Sequence, residues 1–178
     1  MSRINLDTSK LPEASRPTLA QIDKAFGAAP NMFKVVANSP AALRSMWGSF
    51  GALGGGTLGA KLGELIAVAV ANRNGCAYCL AAHAALGHNA GATAQDLELA
   101  QRAQANDART ASALQFAVKL VDARGNVTEA DLVAVRAAGF DDGQVVEIIA
   151  HAALNIFTNY TNNALHTPID FPHRALAA

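Results

Sequence analysis

The chain has 178 residues, of which 51% are hydrophobic and 16% are charged, and alanine is the most frequent residue. This apolar content excludes intrinsic disorder, and the alanine favours helices because it loses little side-chain entropy in a helix. Fourteen basic residues balance fourteen acidic ones and form no basic run. No positive field is therefore expected to attract nucleic acid or an anionic membrane.

The N-terminus and the two longest uncharged stretches carry no targeting or membrane signal. The segment from Met1 to Lys10 lacks the apolar stretch of a secretory signal, so we expect a cytoplasmic protein. Residues 74–95 and 148–165 contain no charged side chain other than histidine, but they include several asparagines. Hydrocarbon does not accommodate that many polar groups, so we expect buried helices and no membrane partner.

Helix start and stop signals recur along the first half of the chain. Ser39 followed by Pro40 is an N-cap with proline at the first helical position, and Thr57 is a second candidate N-cap. Apolar residues from Leu58 to Val70 follow the spacing of one buried stripe, and the glycine of Asn74-Gly75 suits the end of that helix. The predicted helices of this half are Thr18–Phe26, Met32–Ala37, Pro40 to about Phe50, Leu58–Ala71 and Cys76 to about Leu86.

The second half shows the same kind of signals. Thr93 with Asp96 and Thr128 with Asp131 resemble capping boxes, and each pair is expected to begin a helix. The remaining predicted helices are the amphipathic segment Ala111–Val121 and a long last helix from Asp141 or Asp142 that ends before Pro168. No alternating run is long enough for a strand. We therefore expect the all-α fold class, with residues 1–178 forming one helical domain.

The only two cysteines lie close to a histidine. Cys76 and Cys79 are separated by two residues, and His83 follows four residues later. If Cys76 begins a helix, the three side chains lie within about 60° of one another on one helix face. Cys79 then falls in the first turn, where free backbone N–H groups and the helix dipole lower the pKa of a thiol. This arrangement suits a nucleophilic thiolate with a resolving thiol and an acid–base histidine.

Glu64 is a candidate fourth member of this group. A turn at Asn74-Gly75 would fold the two flanking helices into an antiparallel pair. Glu64, about two and a half turns before that turn, would then face His83, about two turns after it. A partly buried carboxylate there can exchange a proton with the histidine. The alternative is a surface salt bridge between Glu64 and Lys61, three residues earlier.

Other interpretations of the cysteine pair remain open. The pair and His83 can supply three zinc ligands, although a second pair of ligands is missing, and the pair can also be structural. A thioredoxin-like fold is excluded because it needs strands. The redox interpretation therefore requires that a helical scaffold carries the cysteine pair. It involves no metal and no cofactor.

Further polar residues receive simpler interpretations. Tyr78 is expected to be a packing residue, and His88, which follows Gly87, a solvated residue in a turn. On the last helix a polar stripe has a spacing of four residues and consists of His151, Asn155 and Asn159. Since buried amides must be hydrogen-bonded, this stripe is expected to hold helices or subunits together, with pocket lining as the alternative.

These residues resemble a known signature. Glu64, eleven intervening residues and then Cys76-x-Tyr78-Cys79-x-x-x-His83 resemble the alkylhydroperoxidase AhpD-like branch of the carboxymuconolactone decarboxylase superfamily. The segments 155–160 and 167–172 are similar to those of the uncharacterised peroxidase-related members. In the founding peroxidase a histidine directly precedes the second cysteine, where this chain has Tyr78. Decarboxylase members generally lack the cysteine pair, which argues against lactone decarboxylation here.

The resemblance implies a fold, an assembly and an activity. It implies an all-α AhpD-like fold and obligate homo-oligomers, commonly trimers or hexamers. It also implies an antioxidant enzyme that reduces small hydroperoxides and is recycled by an external dithiol or protein reductant. Cys79 would be the peroxidatic cysteine, Cys76 the proton donor and resolving partner, and Glu64 with His83 the proton relay.

Three other functions remain as alternatives. A general disulfide oxidoreductase would exchange thiols with protein partners. A decarboxylase-like enzyme acting on a small lactone would use Glu64 and His83 alone, and a structural helical oligomer would carry no chemistry. An oligomer is also expected on physical grounds, because alanine-rich helices with few charges leave more apolar surface than one domain of this size hides.

Overall fold

The computed structural model describes residues 2–177 of the chain, and within them every regular element is helical. Two short 3-10 helices, Thr8–Lys10 and Glu13–Ser15, precede the α-helices. The α-helices are α1 (Arg16–Phe26), α2 (Asn31–Val36), α3 (Pro40–Gly54), α4 (Ala60–Arg73), α5 (Ala77–Asn89), α6 (Ala94–Gln101), α7 (Ala108–Asp122), α8 (Glu129–Ala137) and α9 (Asp142–Leu165). The all-α prediction is confirmed.

Helix α4 lies at the centre of the fold. It packs against α5, α6, α7 and α9, and every side chain from Leu65 to Ala71 is buried. A helix covered on all sides is expected to be apolar all round, so this part of α4 is more than the single buried stripe predicted from its spacing. Asn74 and Gly75, the latter with a φ of 62°, turn the chain from α4 into α5. The two helices pack directly against each other.

Most of the predicted helix starts are confirmed. The Ser39 side chain accepts a hydrogen bond from the Ala42 N–H. Complete capping boxes open α6 at Thr93 and α8 at Thr128, and Asp141 caps α9. Three helices extend further than predicted: α3 to Gly54, α5 to Asn89, and α7, which begins at Ala108 behind an Asp107 N-cap.

The predicted cap at Thr57 is wrong. Helix α4 begins at Ala60 behind Gly59, whose φ of 80° suits glycine, and it has no side-chain cap. Thr57 instead contacts Glu147 of α9, whose carboxylate accepts hydrogen bonds from the Thr57 N–H at 2.8 Å and the Leu58 N–H at 3.2 Å. The Thr57 hydroxyl, which a cap would use as an acceptor, itself donates to Glu147 at 3.0 Å, so a carboxylate from a distant helix holds this segment in place of a local cap. This contact fixes α9 against the start of α4.

After α9 the chain runs back across the molecule as a strap, residues 167–177. His166, with a φ of 51°, ends the helix two residues before Pro168, as predicted. The strap is held by hydrogen bonds from the Asn31 N–H to Asp170 and from the Gln101 amide to the Ala175 carbonyl. It brings the Phe171 ring into contact with Tyr78, which lies between the two cysteines in the sequence.

Membrane insertion of a helix is not supported. Among residues 2–177 no helix combines the length and the apolarity needed to cross a bilayer.

Replacement of Glu147 by alanine is expected to destabilise the fold. It leaves two backbone N–H groups without their charged acceptor, so the free energy of unfolding should fall by about 1.5–3 kcal/mol. Chemical denaturation measures this. As a control, Glu129→Ala removes an exposed carboxylate that lies 3.7 Å from Arg136, and it should change the free energy by less than about 0.5 kcal/mol. Equal losses of unfolding free energy for the two substitutions would contradict the stabilising role of Glu147.

Candidate active site

Cys76 is the N-cap of α5. Its backbone is extended, with φ −90° and ψ 92°, and its sulfur accepts a hydrogen bond from the Cys79 N–H at 3.2 Å. Cys76 therefore lies just outside the helix, and the expectation that it shares a helical face with Cys79 and His83 is wrong. The two sulfurs meet because the cap side chain folds back over the first turn. Both cysteines are free thiols.

Cys79 occupies the third position of α5, in the first turn, as predicted. Burial raises the pKa of its thiol, but a hydrogen bond from Cys76, the nearby charge of His83 and hydrogen bonds from Asn162 and Asn159 outweigh this effect and lower the pKa to about 7. A substantial fraction of Cys79 is thus thiolate at neutral pH.

Cys76 keeps its proton. The hydrogen bond to Cys79 raises the pKa of the Cys76 thiol, and burial adds to this effect. The Cys79 N–H contact alone would favour a Cys76 thiolate. However, the two sulfurs compete for one negative charge, and Cys79 is stabilised by an imidazole and by side-chain amides as well. The geometry therefore places the thiolate on Cys79 and the donating thiol on Cys76.

The expected proximity of Glu64 and His83 is confirmed. Their side chains meet across α4 and α5, with 2.8 Å between His83 Nδ1 and Glu64 Oε2. Burial lowers the pKa of His83, but the Glu64 carboxylate and Cys79 outweigh it, so the net shift is upward. The alternative salt bridge with Lys61 is wrong, since Lys61 Nζ pairs with Asp96 at 2.8 Å.

Gly87 packs close to Glu64 of α4 and Leu97 of α6. It lies one turn after His83 on α5 and faces α4. A Cβ atom at Gly87 would lie 3.0 Å from Cδ2 of Leu97 and 3.5 Å from Cβ of Glu64. A side chain at Gly87 would therefore displace Leu97 of α6, whereas its contact with Glu64 would be of ordinary van der Waals length.

Sequence reasoning missed Asn162. Its side-chain Nδ2 donates to Cys79 Sγ at 3.2 Å, in a fully buried position 83 residues further along the chain. Its Oδ1 has no hydrogen-bond partner among the described residues. A buried amide that directs its donor to a sulfur and leaves its acceptor unpaired costs stability, which is typical of a functional position. The sequence signal that could have identified Asn162 is its spacing of three residues from Asn159, because this spacing places it on the polar stripe of α9.

Within the polar stripe of α9, the described contacts confirm the predicted role for Asn159 alone. Asn159 Oδ1 accepts from Asn74 Nδ2 at 2.9 Å, which joins α9 to the turn between α4 and α5. Asn155 Nδ2 donates within its own helix to the His151 carbonyl. His151 packs over Gly63, where an added Cβ would lie 2.9 Å from its ring. None of these three stripe residues lines the large cavity described below.

Tyr78 is a packing residue, as expected, but it is also anchored. Its hydroxyl oxygen accepts a hydrogen bond from the Met32 N–H at 3.1 Å, and its ring meets Phe171 edge-on. Burial raises the pKa of Tyr78, so it stays a neutral phenol. His88 is exposed as expected, although it lies in the last turn of α5 and not beyond the helix.

A cavity of about 550 Å³ lies beside the cysteine pair. Cys79, His83 and Glu64 all line it, and most of its other walls are apolar. Among residues 2–177, no group of three or more histidine, cysteine or acidic side chains is placed to hold a metal ion, which is the arrangement that the zinc alternative requires. The site therefore offers a thiolate, a second thiol and an acid–base pair at the edge of an apolar cavity.

Comparisons with known proteins agree with the family resemblance and with the all-α fold. The sequence model of the carboxymuconolactone decarboxylase family matches residues 40–123, which include α4 and α5. An uncharacterised peroxidase-related protein from Silicibacter sp. TM1040 is 27% identical, with a TM-score of 0.82 over 94% of this chain and 91% of that one. An uncharacterised peroxidase-related protein with an alkylhydroperoxidase AhpD core, from Ralstonia eutropha JMP134, is also 27% identical, with a TM-score of 0.83 over 95% and 92%.

A more distant likeness concerns the fold alone. A variant of the debrominase Bmp8, solved in complex with 2,3,4-tribromopyrrole, is 16% identical, with a TM-score of 0.76 over 95% of this chain and 90% of that one. Comparison with curated proteins gives no match. The chain is similar to the AhpD-like group of the carboxymuconolactone decarboxylase superfamily, in sequence over residues 40–123 and in fold over nearly all of its length.

Removal of the Asn162 donor is expected to raise the pKa of Cys79. Asn162→Leu keeps the number and branching of the side-chain heavy atoms but deletes the hydrogen bond to the sulfur, so the pKa should rise from about 7 by about one unit. The ultraviolet absorbance of the thiolate, followed against pH, measures this, and the rate of alkylation by iodoacetamide should follow the same curve. Asn163→Leu is the matched control, because the exposed Asn163 donates to the Asn74 carbonyl and not to sulfur. Identical titrations of the two variants would contradict the role of Asn162.

Proposed function

We propose that the protein is a thiol-dependent reductase of small hydroperoxides, with an antioxidant role and no cofactor. The observation that carries the proposal is the Cys79 thiol. Its pKa of about 7 provides thiolate at neutral pH, at the wall of a cavity and beside the Glu64–His83 pair. A peroxide needs a thiolate as nucleophile and an acid to protonate its leaving oxygen.

The first step consumes the peroxide. The Cys79 thiolate attacks the distal oxygen of ROOH, the O–O bond breaks, and the His83 imidazolium donates its proton to the departing alkoxide. The products are a Cys79 sulfenic acid and the alcohol ROH. Glu64 stabilises the imidazolium before the transfer and supports its reprotonation afterwards.

The second step regenerates the site. The Cys76 thiol attacks the sulfenic sulfur, its proton leaves with the hydroxide as water, and a Cys76–Cys79 disulfide forms. An external dithiol or protein reductant then reduces the disulfide by two exchange steps. Tyr78, a neutral buried phenol, replaces the histidine of the founding peroxidase, so the proton transfers fall to His83 and Cys76.

The position of the sulfurs favours a small oxidant over protein disulfides as substrate. Both cysteines are buried, with 0% and 2% of their surface exposed, and Cys79 is reached through the cavity. A general disulfide oxidoreductase would have to bring a protein disulfide to that sulfur. The alternative of lactone decarboxylation depends only on Glu64 and His83, so its activity would survive replacement of both cysteines.

Single cysteine variants test the proposed reaction. With dithiothreitol as reductant, Cys79→Ser should abolish catalysed consumption of cumene hydroperoxide. Without added reductant, Cys76→Ser should consume about one equivalent per chain and then stop at the sulfenic acid, which dimedone traps. In the wild type, mass spectrometry after one equivalent of peroxide should show loss of two hydrogens between Cys76 and Cys79. The exposed His88→Gln serves as the control with unchanged turnover. Wild-type turnover in Cys79→Ser would refute the proposal.

We also propose that the protein is a homo-oligomer, such as the trimer or hexamer that the family resemblance implies. One side of α9 exposes a row of apolar side chains to solvent: Val146, Ile149, Phe157 and Tyr160. They recur at helical spacing without a charged residue among them, so a second copy can cover the row without burying a charge.

Light scattering after size exclusion tests this assembly. The double variant Val146→Glu/Tyr160→Glu should reduce the measured mass to that of smaller species, because a second copy would have to bury two carboxylates. Val133→Glu, at an exposed valine of α8, is the matched control and should keep the wild-type mass. A monomeric wild type would contradict the proposal.

A further inference from the structure

The cavity beside Cys79 has walls made largely of aromatic rings. They come from helices α1, α2, α3 and α5 and from the strap, and they are Phe26, Phe33, Trp47, Phe50, Tyr78 and Phe171. The Phe33 ring is central, because it packs edge-on against Trp47 at 5.7 Å and against Phe50 at 5.9 Å between ring centroids. The Trp47 indole N–H donates to Gln21 at 3.2 Å, which fixes the orientation of that ring. The walls are therefore rigid and apolar.

The volume of the cavity exceeds what the reacting peroxide group needs. At about 550 Å³ it lies in the range of sites for organic ligands, whereas one water molecule takes up about 30 Å³. Hydrogen peroxide is of similar size to water and has no carbon to contact the rings. The apolar walls can contribute to binding only if the substrate carries a hydrophobic group of its own.

The charges around the cavity exclude an anionic substrate. Among the described residues that line it there is no lysine or arginine, and the carboxylate of Glu64 is engaged by His83. The one cation among these residues, the His83 imidazolium, is already paired with Glu64 and lies near the Cys79 thiolate, so a carboxylate on the substrate would lose its hydration on entry without gaining a free cation. A neutral molecule does not incur this cost.

We propose that the substrates of this site are uncharged organic hydroperoxides that carry an aromatic ring. The ring packs against Phe33, Trp47 and Phe50, where edge-to-face contacts add to the burial of apolar surface, while the O–O group reaches Cys79. This inference rests on the proposed function and uses the same reaction, in which ROOH and two thiols give ROH, water and a disulfide.

Three peroxides test the requirement for a ring. The value of kcat/KM is measured for cumene hydroperoxide, tert-butyl hydroperoxide and hydrogen peroxide, and each is divided by the rate constant of that peroxide with free glutathione to remove intrinsic reactivity. Cumene hydroperoxide should exceed both others by about tenfold or more. Similar normalised values for the three peroxides would overturn the substrate class but leave the reductase intact, whereas no consumption of any peroxide would refute the reductase itself.

Substitutions in the cavity wall test where the aromatic ring of the substrate binds. Phe50→Leu removes a half-buried ring of the cavity and should reduce the cumene to tert-butyl ratio by several fold. Phe116→Leu is the matched control, because Phe116 is a buried ring of α7 outside the cavity, and it should keep the wild-type ratio. Both peroxides are measured with the same preparation of each variant. A smaller fraction of folded protein therefore lowers both rates equally and leaves their ratio unchanged. An unchanged ratio in Phe50→Leu would overturn the placement of the ring.

A charged substrate pair tests the exclusion of anions. Cumene hydroperoxide with a para carboxylate should be a poorer substrate than its methyl ester by about tenfold or more. Gly51 lines the cavity, and an added Cβ there meets nothing within 4 Å, so Gly51→Lys can place a cation in the wall. This variant should reduce the difference in kcat/KM between the carboxylate substrate and its methyl ester. Equal turnover of acid and ester by the wild type would contradict the inference.

Discussion

A helix N-terminus presents backbone N–H groups without acceptors, and in α5 a sulfur satisfies one of them. Because Cys76 is the cap, its Sγ lies over the first turn, where it accepts the Cys79 N–H at 3.2 Å and meets the Cys79 sulfur. One local hydrogen bond thus places two thiols side by side, and the groups around them assign them different roles. Cys79, inside the helix and next to His83, carries the charge, and Cys76, outside it, keeps the proton.

The rest of the fold supports this first turn from two directions. Helix α4, buried along most of its length, brings the Glu64 carboxylate to the far side of His83. Helix α9 brings Asn162 to the Cys79 sulfur and is itself attached to the start of α4 through Glu147. The thiolate is therefore stabilised by groups from three helices, so the packing of α4 between α5 and α9 supports the low pKa of Cys79 together with the cysteine motif.

The sequence predicted what depends on local chemistry. Capping residues such as Ser39, Thr93 and Thr128 predicted where helices begin, and the turn at Gly75 was enough to predict that Glu64 faces His83. The prediction failed where a distant group replaced a local one. The Thr57 cap was wrong because Glu147, 90 residues away, binds the Thr57 N–H and hydroxyl, and the helix begins only at Ala60. Asn162 and the aromatic cavity were missed because they depend on how α9, the N-terminal helices and the strap pack around α5, and no local spacing encodes that.

Gly87 has a consequence for any attempt to make this protein more robust. Replacing a helical glycine by alanine commonly gains about 0.4–1 kcal/mol, because the unfolded chain loses freedom. At Gly48 of α3 an added methyl group meets no atom within 4 Å, so that gain is available. At Gly87 the same methyl group would lie 3.0 Å from Cδ2 of Leu97, so the Leu97 side chain on α6 would have to shift, while its distance of 3.5 Å from the Cβ of Glu64 is an ordinary contact. The gain in helix propensity at Gly87 is thus offset by repacking of Leu97 beside the Glu64–His83 pair, and Gly48, far from that pair in the sequence, is the better position for a stabilising alanine.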